Sequence, residues 1–297
     1  MAFSEFDIPD QHGRTAVVTG ANSGIGFETA RALAAKGARV IVACRSEKKG
    51  RDAEQRIRKT TPGAELRFEP LDLGSLASVR AFAEKVGAAE SRLDLLVNNA
   101  GVMMPPYGKT ADGFELQIGT NHLGHFALTG LLLPRILAAP KARVVSVSSL
   151  AHLWGRIDFG DLQSERSYNP TRSYGQSKLA NLLFVRELQR RFEAKRADAL
   201  AAAAHPGSTR TELQRHSGLM NAIVAVFSQQ PPDGALPSLY AATAPGVRGG
   251  DYFGPSGFAG CIGPPGPARS NAASRNAEVA KRLWDVSEQL TGVRFAL

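Results

Sequence analysis

Tyr174 and Lys178 stand four residues apart in the run Tyr174-Gly175-Gln176-Ser177-Lys178. At the start of a helix, that spacing puts both side chains on one face, one turn apart. A phenol titrates near pH ~10 and is a poor acid–base catalyst at neutrality. A neighbouring ammonium favours the phenolate and brings the pKa toward the working range. Many Tyr-x-x-x-Lys pairs are only surface neighbours, so the spacing alone does not decide. Upstream, an apolar run ends in Ser148-Ser149. A serine hydroxyl at the C-terminal end of a strand can donate a hydrogen bond to a substrate oxygen, at the edge where open α/β sheets bind ligands. The plain alternative for such a pair is turn chemistry.

A second constellation is the run Thr19-Gly20-Ala21-Asn22-Ser23-Gly24-Ile25-Gly26. Its glycines are spaced four and two apart, between a strand and a helix. Glycine admits the positive φ of a tight turn, and the missing Cβ lets a pyrophosphate approach the backbone. The helix starting near Ile25 would offer unpaired N–H groups and its positive dipole end to phosphates. The spacing is not the usual G-x-G-x-x-G, but its place after the first strand is the context that the dinucleotide reading requires.

The second strand ends in Ala43-Cys44-Arg45. An NAD-binding domain usually carries an acidic residue there for the ribose 2′-hydroxyl. Cys44 and Arg45 supply no carboxylate to repel a 2′-phosphate, and a guanidinium forks onto one. The expectation is therefore NADP(H), with NAD(H) as the lesser cofactor. The plain alternative is a surface arginine at a strand end.

These residues need a scaffold, and the chain alternates short apolar runs with longer amphipathic ones. Strands are expected at Thr15–Thr19, Arg39–Ala43, Leu66–Pro70, Leu93–Val97 and Arg143–Val147. Helices are expected at Ile25–Lys36, Ser46–Lys59, Ser75–Val86, Phe114–Leu137 and Arg172–Arg191. Asp198–Ala204 is alanine-rich and locally favours helix. It still reads as a strand, because it is short, follows a long helix and ends in His205-Pro206-Gly207. Beyond it, helices are expected at Leu213–Gln230, Gly234–Thr243 and Asn276–Thr291, the last stopped by Gly292. The glycine- and proline-rich stretch Gly249–Ser270 reads as largely irregular. The βα alternation implies an α/β fold: one Rossmann-type, doubly wound parallel sheet of about seven strands with helices on both faces. No linker or repeat divides residues 1–297, so a single domain is expected, with a variable portion from 207 to 297.

Composition narrows the class. The 297 residues are 43% hydrophobic and 21% charged, which excludes a disordered or collagenous chain. Two cysteines, Cys44 and Cys261, make no disulfide framework, so a reducing, cytoplasmic compartment is expected. The near-apolar stretch Phe126–Leu133 is shorter than the ~20 residues of a membrane span. The N-terminal residues carry Glu5 and Asp7 and no long apolar run, so neither a signal peptide nor an apolar anchor is expected. With 36 basic and 27 acidic residues the net charge is +9. The basic residues are scattered and not interleaved with aromatics, so solvated helix faces are expected rather than nucleic-acid binding. His122 and His125 lie three apart on one helix face and read as packing or polar helix residues; no metal site is expected.

Taken together, the Gly20/Gly24/Gly26 turn, Asp72-Leu73, Asn98-Asn99-Ala100-Gly101, Asn121, Ser149, Tyr174/Lys178 and Pro206-Gly207 with Thr211 resemble the short-chain dehydrogenase/reductase family. They span almost the whole chain in the family's order. The stretches TNHLGHFALT, VSSLAH and SKLANLLF look like its retinol-dehydrogenase-like branch, here as a soluble, bacterial-type member. Light-dependent protochlorophyllide reductases share part of that look. The resemblance implies that Tyr174 is the general acid/base. It implies that Lys178 lowers the Tyr174 pKa and holds the nicotinamide ribose, and that Ser149 positions the substrate oxygen. It further implies that Asn121 kinks its helix and holds a water in a proton relay from Lys178. Asp72, with Leu73, would meet the adenine. Asn99, Ala100 and Gly101 would support the central strand and the cofactor, as Gly20, Asn22, Ser23, Gly24, Ile25 and Gly26 would hold its phosphates. Pro206, Gly207, Thr209 and Thr211 would embrace the nicotinamide end. The implied reaction moves a hydride between nicotinamide C4 and a carbon bearing oxygen, without a metal. Pairing of two copies through the two long helices is also implied.

Both expected walls of the substrate site are apolar. One is Val102-Met103-Met104-Pro105-Pro106; the other follows Thr211 and contains Leu213, Leu219, Met220, Ile223, Val224, Val226 and Phe227. Neither offers an arginine or lysine cluster for a carboxylate or phosphate. A small apolar alcohol or carbonyl compound is the expected substrate, unless the second wall is only a core-packing helix. The competing readings are reduction of an activated C=C bond and a non-catalytic NADP(H)-binding scaffold.

Overall fold

The structure, a computed structural model, describes residues 2–209 and 228–297. Eight strands form one sheet in the order β3-β2-β1-β4-β5-β6-β7-β8. They are β1 (Thr15–Thr19), β2 (Arg39–Cys44), β3 (Leu66–Pro70), β4 (Leu95–Asn98), β5 (Ala142–Val147), β6 (Ala199–Ala204), β7 (Tyr252–Gly257) and β8 (Ile262–Pro267). All neighbours run parallel except β7 and β8. The helices are α1 (Gly24–Ala35), α2 (Glu47–Thr60), α3 (Leu76–Ala89), α4 (Leu116–Ile118), α5 (Gly124–Leu137), α6 (Pro170–Ala194), α7 (Pro231–Thr243) and α8 (Ala277–Thr291).

The central strands are apolar along their whole length because both faces are covered. In β1, Val17 faces a core shared with α3, α5 and α6, while Ala16 and Val18 face the other core, with α1, α2 and α7. Residues alternate between the faces with period two. Central β6 settles the conflict between propensity and pairing. Ala201 and Ala203 enter one core, Ala202 and Ala204 the other, and pairing with β5 and β7 satisfies the backbone. Caps fall where the sequence marks them. Ser46, Ser75 and Asn276 accept backbone N–H groups at the starts of α2, α3 and α8, and Gly292 ends α8 at φ 62.

Two expectations need correction. Gly249–Ser270 is not largely irregular but folds into β7 and β8. The prolines of β8 are tolerated because it is the edge strand. Among the described residues the sheet accordingly has eight strands, in keeping with the about seven expected. The long helix expected over Phe114–Leu137 is broken: α4 passes into a π-helical turn, Gly119–Leu123, and then into α5. Most of the helix expected at Leu213–Gln230 lies outside the described residues, as does Thr211. The outer side of α5 and α6 is covered by α8 and the tail after it, where Trp284 and Phe295 join Phe126 and Phe184 in one aromatic cluster. Among the described residues, no helix is long and apolar enough to cross a membrane.

Candidate active site

Strand order reverses at the β1/β4 boundary, so the chain leaves those two strands in opposite directions and opens a crevice beyond their C-terminal ends. A cleft of about 840 Å³ lies there, lined from the ends of β1 to β6. That is large enough for a cofactor and a small substrate on the scale of ligand sites, about 300–1,000 Å³.

The glycine turn forms the floor. Gly20 and Gly24 hold φ values of 67 and 55. A Cβ on Gly26 would lie 2.4 Å from the Gly20 carbonyl oxygen and 2.4 Å from Asn99 Nδ2, so glycine is required there. Ser23, the N-cap of α1, makes no side-chain cap bond, and the first turn carries no acidic residue. The N–H groups at this end of α1 are thus left for an anion, beside a backbone stripped of Cβ atoms. The Thr19 hydroxyl ties the floor to β4 by accepting the N–H groups of Asn99 and Ala100, each at 2.9 Å. Asn99 Nδ2 returns a bond to the Thr19 carbonyl at 2.8 Å. Asn22, Ser23, Ile25, Asp72, Leu73, Ala100 and Gly101 also line the cleft. The Asp72 carboxylate additionally accepts the Gly74 N–H at 2.9 Å. Arg45 lines the cleft at the end of β2, exposed and in no ion pair among the described residues. These features fit a nicotinamide dinucleotide.

Ser149, Tyr174 and Lys178 meet on the opposite wall. Ser149 caps the 3-10 turn Leu150–Trp154 after β5, and Tyr174 and Lys178 sit one turn apart near the start of α6. The Ser149 hydroxyl accepts the Ala151 N–H at 3.2 Å and stands near enough to the Tyr174 phenol to favour its ionised form. Lys178 Nζ donates to the Val147 carbonyl at 3.2 Å and lies 5.7 Å from the Tyr174 ring centre. Ser148 divides the work with its neighbour: its hydroxyl donates to the Lys178 carbonyl at 2.8 Å and holds β5 against α6.

Burial, not the lysine, dominates the phenol. It pushes Tyr174 up to about 12, with the Ser149 hydroxyl opposing, although part of the ring faces the cleft. Burial likewise pushes Lys178 down to about 8. This departs from the expected fall of the phenol pKa. At neutral pH the phenol keeps its proton and the ammonium its charge, which is a proton donor beside a cation.

Asn121 does not line the cleft. It sits in the π-helical turn, and its amide is consumed by the protein. Oδ1 accepts from Val102 N at 2.8 Å; Nδ2 donates to Val102 O at 3.0 Å and to Ser177 Oγ at 2.9 Å. Its main-chain carbonyl accepts from His125 Nδ1 at 3.0 Å. The side chain therefore braces the wall at Val102. His122 and His125 are buried and bond Ser287 and Thr19 respectively. At the far end, Pro206, Gly207 and Thr209 line the cleft, and Gly207 holds a φ of 65. Val102, Met103, Pro105 and Leu150 supply an apolar side. Lys109, which the sequence did not single out, lines the cleft beside them and is paired with Glu165 at 2.7 Å.

The described geometry is that of a nucleotide-dependent oxidoreductase, and the comparisons agree. Residues 14–221 match the short chain dehydrogenase family model, and the chain belongs to that family, whose members are oxidoreductases of alcohol and carbonyl groups. It is 47% identical over 288 residues to "Retinol dehydrogenase 12" of Homo sapiens, covering 95% of this chain and 88% of the relative. The crystal structure of an uncharacterized protein from Mycobacterium paratuberculosis superposes with a TM-score of 0.85 at 45% identity, over 100% of both chains. The Pseudomonas aeruginosa RhlG/NADP active-site complex matches with a TM-score of 0.66 at 26% identity, over 82% of this chain and 94% of that one.

Proposed function

We propose that this protein is an NADP(H)-dependent oxidoreductase of small apolar carbonyl compounds and the corresponding alcohols, with Tyr174 as the general acid/base. The observation that carries the proposal is convergence. Ser149, Tyr174 and Lys178 face one cleft whose floor is an uncapped helix N-terminus flanked by glycines. The bound nicotinamide would supply or accept the hydride. The protein's own groups then have three tasks. The glycine turn and the start of α1 hold the pyrophosphate, and Arg45 takes the 2′-phosphate. Ser149 orients the substrate oxygen. Tyr174 gives that oxygen a proton as it gains charge, with Lys178 stabilising the phenolate left behind. Asn121 supports this arrangement through Val102 rather than handling a proton with its side chain. The two unpaired cysteines suit a reducing compartment such as the cytoplasm.

An apolar substrate is supported by Val102, Met103, Pro105 and Leu150 on the cleft wall and by the neutralised Lys109. The test is NADPH oxidation with linear aldehydes of rising chain length. Each added buried CH₂ should raise kcat/KM, by up to about 0.8 kcal/mol of binding. A flat series, or a preference for sugars, would overturn the apolar reading. Saturation of enones without reduction of aldehydes would move the activity to C=C bonds.

A further inference from the structure

Behind the catalytic wall lies a buried cluster that the mechanism above does not use. His152, His205 and Tyr252 are 0%, 2% and 6% exposed. The Tyr252 ring stands between the two imidazoles, 5.4 Å from His152 and edge-on at 89°, and 5.2 Å from His205. Each imidazole holds the backbone of a different side of the cleft. His152 Nδ1 lies 2.7 Å from the Ser149 carbonyl. His205 Nδ1 lies 3.2 Å from the Gly207 backbone nitrogen. The Tyr252 hydroxyl lies 3.5 Å from His152 Nδ1.

The partners fix the tautomers. A carbonyl can only accept, so His152 carries its proton on Nδ1; its Nε2 has no hydrogen-bond partner among the described residues. A backbone N–H can only donate, so neutral His205 has a bare Nδ1 and carries its proton on Nε2. One ring is a donor to the substrate side, the other an acceptor from the nicotinamide side. Burial lowers the pKa of both histidines, which keeps both rings neutral at physiological pH. Local construction protects the arrangement. A Cβ on Gly254 would lie 1.8 Å from His205 Nε2, so β7 passes this ring only with glycine at that position. Asn271 Nδ2 holds the His152 carbonyl at 3.0 Å.

We propose that His152, Tyr252 and His205 form one positioning unit that sets Ser149 and the Gly207 turn relative to each other. Pinning the Ser149 carbonyl fixes the peptide that follows Ser149 and, through it, the direction of the hydroxyl. Pinning the Gly207 N–H fixes a turn at positive φ that faces the nicotinamide end. Tyr252 couples the two by packing against both rings. None of the three touches substrate or cofactor; they act through the backbone. The proposal rests on the reading of Ser149 and Gly207 given above.

The test compares His152→Leu, His152→Asn, His205→Leu, His205→Asn and Tyr252→Phe with Ser149→Ala and the unaltered protein. Readouts are kcat and KM for the best aldehyde, NADPH Kd by fluorescence and Tm. His152→Leu should lower kcat by about ten- to a hundredfold, the scale for a small misplacement of a reacting group, with NADPH Kd unchanged. His152→Asn, which keeps an N–H donor near the same place, should recover most of kcat. His205→Leu should instead raise the NADPH Kd, and His205→Asn, which offers an oxygen acceptor, should restore it. Tyr252→Phe keeps the ring but removes the hydroxyl beside His152 Nδ1, so kcat should fall several-fold. If the leucine variants do not fold, the asparagine and phenylalanine variants decide. Unchanged kcat and NADPH Kd in all three of these would overturn the unit, because Tyr252→Phe should lower kcat. Loss of Tm without the split between kcat and NADPH Kd would overturn the unit. If Ser149→Ala itself kept full turnover, the failure would lie in the reading of Ser149, not in the positioning unit.

Discussion

A Cβ placed on Gly155 would lie 2.3 Å from the carbonyl oxygen of Gly175. The two residues touch backbone to backbone, and this contact brings the turn after Ser149 against the helical turn of Tyr174. A Cβ on Gly175 would in its turn meet the Ala151 carbonyl oxygen at 3.0 Å. Gly155→Ala must therefore wedge α6 away from the 3-10 turn. Overpacking of this kind costs about 1–3 kcal/mol. A displacement near 1 Å between reacting groups costs roughly a hundredfold in rate. Purified Gly155→Ala should melt several degrees lower and lose at least tenfold in kcat, read by calorimetry and steady-state kinetics. Normal kcat at a lowered Tm would show that the contact serves stability alone.

Arg45 discriminates between the cofactors if its guanidinium meets the 2′-phosphate. Charge-assisted hydrogen bonds are worth about 1.5–3 kcal/mol, and exposure of Arg45 favours the lower end. Arg45→Ala should weaken NADPH about tenfold and leave NADH nearly unchanged, as measured by fluorescence titration. Equal weakening of both would assign Arg45 to the fold.

The reductive pH profile follows from Lys178. Its pKa is pushed down to about 8 by burial, while Tyr174 is pushed up to about 12. Protonated phenol is then present throughout the useful range, and the charge that stabilises its phenolate is lost first. Carbonyl reduction should hold steady below pH 8 and decline as pH rises through it, seen in kcat/KM against pH. A decline only above pH 10 would contradict this role for Lys178.

Acid should unfold this protein through buried histidines. Burial pushes His122 down to about 3 and His125 and His205 down to about 4, from 6.5. Between those values the unfolded chain binds more protons than the native one. The stability is therefore complete above pH 6.5 and drains as pH falls toward 4. Linkage gives about 2 kcal/mol lost per histidine between pH 7 and 5. Urea unfolding at the two pH values measures the difference, and an unchanged midpoint would contradict it.

Much of this site was legible in the sequence, because its parts are local. The glycine turn, Tyr174 with Lys178, and the serines ending β5 are each short runs set by an adjacent strand or helix. Even alanine-rich β6 could be read from its length and its turn. What escaped depends on tertiary contact. Gly249–Ser270 forms two strands because β6 offers an edge and Gly254 clears His205, neither of which shows in a run of glycine and proline. Asn121 turns away from the cleft because Val102 and Ser177, distant in sequence, take its amide. Gly155, His152 and Tyr252 gain their significance only from partners elsewhere in the chain. The stretch VSSLAH contains His152, but nothing in it shows that the ring points back at Ser149.

Proton donation by Tyr174 in NADPH-dependent carbonyl reduction is tested most directly by single-turnover kinetics of Tyr174→Phe. Enzyme saturated with NADPH is mixed with the best apolar aldehyde, and hydride transfer is followed by loss of nicotinamide absorbance. The phenylalanine keeps the ring and its packing and removes only the hydroxyl. The rate should fall by about 10²–10⁴-fold, the range for a lost general acid, while NADPH affinity stays unchanged. A rate within about threefold of the unaltered protein would contradict the assignment of Tyr174 as the acid.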